Sequence, residues 1–209
     1  MMGAPNIKFR LRVCYKKTGV LAYLSHLEVV RSLEMIVRRS GLPYCVSQGY
    51  SPHMKISFGP ALAVGIESEK QIFDVYLTKY IKDAQALCAL KEASKGSLEV
   101  VSCEYVDNSV PAASAIFGRV NYSVEVEGHI KNLKIPDEIR VVKKGKEKLL
   151  KTKDYLVGDV ETEIVDNNTK LNFCLESKAS GSLKPESFLI QVLQCSGCSD
   201  IKIISFKII

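Results

Sequence analysis

Residues 25–60 read SHLEVVRSLEMIVRRSGLPYCVSQGYSPHMKISFGP. This stretch decides the fold, because a helix with marked ends passes directly into strand material punctuated by turns. Ser25 and Glu28 have the spacing of a capping box: the Ser25 hydroxyl accepts from the amide three residues on, and the Glu28 carboxylate reaches back to the Ser25 amide. The helix is therefore predicted to begin at His26. Leu27, Val29, Val30, Leu33, Ile36 and Val37 recur at helical spacing on one face, and Arg31, Glu34 and Arg38 fall on the opposite stripe. Gly41, with Pro43 just beyond, stops the helix at Ser40. His26 projects toward the apolar face in the first turn. Two readings stand for it: a buried neutral imidazole, which the positive end of the helix dipole favours, or a general acid or base at a pocket between this helix and the 49–53 loop.

From Ser47 the composition changes. Gly49, Gly59, Gly65, Pro52 and Pro60 set the path turn by turn, and Lys55 to Phe58 alternates polar and apolar as a half-buried strand does. Gln48, Gly49, Tyr50, Pro52, His53 and Lys55 sit where the chain turns outward, as a loop facing a partner or ligand. A hairpin crossing a sheet without any ligand is the other reading.

Working outward, the first half alternates strand (7–15), helix (26–40), strand material (44–58), strand (71–79), helix (83–94) and strand (98–106). The order βαββαβ is the split, ferredoxin-like arrangement, with both helices on one face of an antiparallel sheet and the other face open. Residues 108–118 form the candidate linker between a first domain, 1–107, and a second, 119–209. In the second half, strands are expected at 119–127, 155–165, 170–177 and 201–209, a basic hairpin at 139–153 around Gly145, and a helix at 185–194. The expected class is α+β: a ferredoxin-like unit followed by a second, modified one whose first helix is degraded.

The motifs Ser25-His26-Leu27-Glu28 with Arg31, Arg38-Arg39-Ser40-Gly41-Leu42-Pro43, Ser47-Gln48-Gly49-Tyr50-Ser51-Pro52-His53 and Ser57-Phe58-Gly59-Pro60-Ala61-Leu62, with Gly65 and Glu67-Ser68, carry a resemblance. The chain resembles the bacterial radical-SAM-linked protein family, an uncharacterised domain fused to, or encoded beside, cobalamin-binding radical SAM proteins. The resemblance is dense from Lys8 to about Val75 and thin afterward. It implies a radical SAM protein as partner and assigns no catalytic residue. Tyr50-Ser51 stands where the family more often has Phe-Asn, and Ala63-Val64 where it has Pro-Leu.

Charge is unevenly spread. Lys131, Lys134, Arg140, Lys143, Lys144, Lys146, Lys148, Lys151 and Lys153 face only Asp137, Glu138 and Glu147 in the same interval, an excess equal to the chain's whole formal net charge of +6. Such a block attracts polyanions, and lysine rather than arginine points to phosphate contact without base readout. The same lysines would also protect an exposed edge strand from aggregation. RNA contact is assigned to Lys143, Lys144, Lys146, Lys148, Lys151 and Lys153, with Arg31 and Arg38.

Apolar content of 46% with 25% charged residues is that of a globular chain. No apolar run has the length of a membrane span and the first residues lack a signal-peptide pattern, so the expected location is the cytoplasm, without membrane contact. The seven cysteines are expected to be reduced. Cys195-Ser196-Gly197-Cys198 has no second pair or suitably spaced histidine to complete a metal site, so no metal or cofactor is expected. The radical SAM cluster motif CxxxCxxC is absent, so the chain is not itself the radical SAM enzyme. Three functions remain: a non-catalytic RNA-binding accessory to a radical SAM enzyme that modifies tRNA or rRNA; a module docking on that partner through residues 47–68; or a metal-independent endoribonuclease using His26 or His53 with Tyr50 and Lys55.

Overall fold

Alternation along β1 (Phe9–Lys17) turns Leu11, Val13 and Tyr15 into a core and Arg10, Arg12 and Cys14 to the other side. The computed structural model describes residues 9–116, 118–143, 145–178 and 181–209. The expected strand start at Ile7 lies outside them. The chain divides into two compact units, Met1–Ile116 and Phe117–Ile209.

In the first unit β1 is followed by α1 (His26–Arg39), β2 (Ile56–Phe58), β3 (Glu67–Leu77), α2 (Asp83–Ala93) and β4 (Val100–Tyr105). The sheet order is β2-β3-β1-β4, and every neighbouring pair is antiparallel. This is the split βαββαβ order. The capping box forms: the Ser25 hydroxyl accepts from the Glu28 amide, and the Ser25 amide donates to Glu28 Oε2 at 2.8 Å. Val29, Leu33, Ile36 and Val37 of α1 pack with Leu90 of α2 onto Leu11, Val13, Phe73, Val75 and Leu77, each almost fully buried. Burial on this scale stabilises by about 1.5–3 kcal/mol per large side chain.

Three expectations need correction. Leu27 is 67% exposed, because at 100° per residue it falls on the stripe of Arg31, Glu34 and Arg38, not with the apolar set. The strand material 44–58 forms a strand only at β2. Two short pieces share the edge of β3 in relay: the Cys45 amide donates to Tyr76 and the Tyr76 amide to Lys55, while residues 47–53 leave the sheet as an excursion closed by Ser47 and His53. The helix-free sheet face is not open, because residues 107–114 lie across it. Arg10 donates to the carbonyls of Asp107 and Val110, Arg12 to that of Pro111 at 2.8 Å, and the Ala113 amide donates to Asp74 Oδ2 at 2.8 Å. The segment read as a linker is thus anchored to the first unit over most of its length.

The second unit runs β5 (Arg119–Glu127), β6 (Glu138–Lys143), β7 (Lys146–Lys151), β8 (Leu156–Val165), β9 (Asn168–Lys178), β10 (Gly181–Ser182), α3 (Pro185–Cys195) and β11 (Ile203–Ile208). Its main strands lie in the order β8-β9-β5-β11, again antiparallel throughout. With β8 in the place of β2, β9 of β3, β5 of β1 and β11 of β4, the order repeats that of the first unit. The class is mixed α+β. Where the first unit has α1, the second has the hairpin β6–β7. Tyr122, Phe173, Phe188 and Phe206 form an aromatic core, with Phe173 and Phe188 ring centroids 4.9 Å apart. Ile139 of β6 is fully buried.

Candidate functional site

The hairpin pairs Glu138 with Lys151, Arg140 with Leu149, Val142 with Glu147 and Lys143 with Lys146. Because side chains alternate across a strand, Ile139 and Leu150 face the interior, and Glu138, Arg140, Val142, Glu147, Leu149 and Lys151 face outward. Its root is fixed to α3 by one side chain. Gln191 Oε1 accepts from the Arg140 amide and its Nε2 donates to the Arg140 carbonyl, both at 2.8 Å. Lys146, Lys148, Lys151 and Lys153 are exposed. Among the described residues the one ion pair on the hairpin is Arg140 with Glu147, at 3.8 Å, so these four ammonium groups are available to a ligand. Lys144 and the side chain of Lys143 lie outside the described residues. Arg31 and Arg38 are exposed on α1 in the first unit.

The 47–53 excursion is held at its base by the Ser47 amide donating to the His53 carbonyl at 2.7 Å and the His53 amide to Ser47 Oγ at 3.0 Å. Gln48, Gly49, Pro52 and His53 are exposed, and Tyr50 is fully so. Lys55 lies with its ammonium 4.5 Å from the centre of the Tyr76 ring.

His26 is exposed, contrary to a buried imidazole. It is the first residue of α1, and its ring meets Phe58 edge-on at 6.5 Å. The small cleft beside it is lined by Tyr15, Lys17, Phe58 and Pro60, so it opens against the segment after β2 and not against the 49–53 loop. Phe58 packs on the helix side of the sheet, whereas Lys55 sits on Tyr76 on the other side. The four residues considered for catalysis, His26, Tyr50, His53 and Lys55, are therefore not brought to one cleft.

Two charged residues at structural centres escaped the sequence reading. Lys17 is only 2% exposed, and its ammonium donates to the carbonyls of Ala22 at 2.5 Å and of Ala63 and Ile66 at 3.4 Å. Loss of water lowers its pKa from the ordinary 10.5. The signature segment 59–66 is wrapped on this ammonium. Its path also needs Gly59, where a Cβ would stand 2.8 Å from the Ile72 carbonyl oxygen, and Gly65, whose φ of +88° suits the turn that donates to Ala22. Asp74 is fully buried and takes both Arg12 Nε at 2.7 Å and Arg12 Nη2 at 3.0 Å. The signals were there: a lysine at an inward position of β1, and an acid between Phe73 and Val75.

Cys195 ends α3 and Cys198 lies in the turn beyond it; all seven cysteines are free thiols. Among the described residues no three metal-ligating side chains gather, and no helix is long and apolar enough to cross a membrane.

Two units of one strand order, the first carrying a signature loop and the second a basic hairpin, define a class of tandem α+β proteins. Residues 10–185 match the family model described as "Uncharacterized protein conserved in bacteria (DUF2344)", and the chain belongs to that family. The match takes in the signature loop and the basic hairpin together. No curated protein matches the chain.

Proposed function

We propose that the chain is a non-catalytic RNA-binding accessory protein that grips the phosphate backbone with the β6–β7 hairpin. The observation that carries this reading is the replacement of a packed crossover helix by a projecting hairpin whose described lysines, Lys146, Lys148, Lys151 and Lys153, have no carboxylate partner. Ammonium groups with no ion partner release condensed counterions when they meet phosphates, which makes the binding steeply dependent on salt. The enzyme assisted is a radical SAM protein modifying tRNA or rRNA; the resemblance of the signature residues is its support. Fluorescence anisotropy with tRNA between about 50 and about 200 mM salt tests the RNA reading. Affinity is expected to fall with salt, and K148E/K151E to weaken binding and flatten the slope. Undetectable binding at the lowest salt, or a variant that binds like the parent, overturns the proposal.

A second reading is favoured by Tyr50, a fully exposed aromatic on a loop with a fixed base. In it the 47–53 loop docks on the partner protein. Loss of partner capture in Tyr50→Ala with RNA affinity intact would support docking; capture unchanged would end it.

A further inference from the structure

A groove of about 550 Å³ opens at the root of the hairpin. Ile135, Pro136 and Leu156 give it apolar walls, and Asp137, Glu138, Lys151 and Lys153 stand along it. Thr152 is buried, its hydroxyl donating to the Pro136 carbonyl at 2.5 Å and its amide to the Asp137 carbonyl at 2.8 Å, so the chain entering β6 is tied to the chain leaving β7. The volume lies in the range of about 300–1,000 Å³ typical of small-ligand sites.

The charges here are unusual for a surface that only holds phosphate. Two of the three acids in the basic block line the groove, and each would repel a polyanion. Glu138 and Lys151 face each other in the hairpin register, yet among the described residues no ion pair joins any of these four side chains. All four are exposed. Ionised carboxylates only accept hydrogen bonds, and the complementary donors on RNA are the amino groups at the edges of unpaired bases. Lysines one step away meet the phosphate attached to such a base, and Ile135, Pro136 and Leu156 meet its face.

We propose that this groove seats one unpaired nucleotide of a single-stranded RNA segment, with Asp137 and Glu138 accepting from the amino group of its base, so that cytosine is preferred to uracil. The inference rests on the RNA-backbone reading and adds base selection, which the lysines alone do not supply.

Anisotropy with short labelled oligocytidine and oligouridine, at one salt concentration, tests it on the full chain. The parent is expected to bind oligocytidine about fivefold or more tightly than oligouridine. D137A/E138A is expected to lose the preference, binding oligocytidine no more tightly than oligouridine, with oligouridine bound more tightly than by the parent because two repelling charges are gone. Lys148→Ala, beyond the groove, should weaken both and keep the preference. Equal binding of the two oligonucleotides by the parent, or a preference surviving in D137A/E138A, overturns the groove and leaves the hairpin reading standing. No binding of either at low salt overturns the RNA reading and this one with it.

Discussion

The two units share one strand order and use its first crossover differently. Between β1 and β2 the chain builds α1, whose apolar stripe is buried and whose ends are capped; between β5 and β8 it builds a hairpin that buries Ile139, half-buries Leu150 and leaves its lysines in water. The first crossover therefore contributes to a core, and the second to a surface. The opposite sheet faces differ as well. In the first unit residues 107–114 cover it through a buried ion cluster, and among the described residues the second unit has no buried ion pair. Tightness gathers in one unit and available charge in the other.

The comparison breaks most visibly at Asp74. Asp74→Ala strands Arg10 and Arg12 under the covering segment and removes the acceptor for the Ala113 amide. Removing one partner of a buried pair costs about 3–5 kcal/mol. The urea midpoint of the chain is expected to fall accordingly, with hydrogen exchange faster first at Ala113. An unchanged midpoint would mean the covering segment is held by other contacts.

Lys17 gives the next effect. Lys17→Met leaves three carbonyls without their shared donor, at a cost of about 1–3 kcal/mol at neutral pH. The pH dependence has a definite sign. Because burial lowers the folded pKa below 10.5, the unfolded chain binds more protons between the lowered value and 10.5, and the parent gains stability as pH rises through that window. The methionine variant lacks this gain. Urea midpoints of the two proteins, taken upward from neutral pH, should diverge in the parent's favour; a constant gap would contradict a buried ammonium.

A smaller effect tests the root of the hairpin. Gln191→Ala removes both hydrogen bonds to Arg140 and is expected to cost about 1 kcal/mol. The Arg140 amide should then lose protection against exchange while α1 amides keep theirs. Equal loss in both would mean the two crossovers are not independent.

How much of this was legible follows from the range of the forces involved. The α1 start, the strand 119–127 and the turn at Gly145 were readable because caps, alternation and glycine act over a few residues. Charge crowding in 131–153 was readable as composition. The covering segment was not, since Asp107 to Ser114 looks like a linker until Arg10, Arg12 and Asp74 are brought beneath it from about 35 to 100 residues away. Nor was the exposure of His26, because helical periodicity gives the direction of a side chain and not where the core ends. The groove escaped for a third reason. Asp137 and Glu138 read as dilution of a basic block, and only the fold sets them beside Lys151, Lys153 and an apolar wall.

The smallest predicted change sharpens the contrast between a core-building crossover and a charge-presenting one. Glu147 is the single described acid paired on the hairpin, and its partner Arg140 and the carboxylate itself are both about two-thirds exposed. Exposed pairs contribute about 0–1 kcal/mol, so Glu147→Gln should leave the urea midpoint nearly unchanged. The variant nevertheless removes one repelling charge and frees one guanidinium in the same step, so affinity for tRNA should rise and its salt dependence steepen by about one contact. A helix-like, core-building crossover would show the reverse pattern: lost stability and unchanged affinity. The two measurements, made on one variant, thus decide which of the two roles the β6–β7 hairpin has.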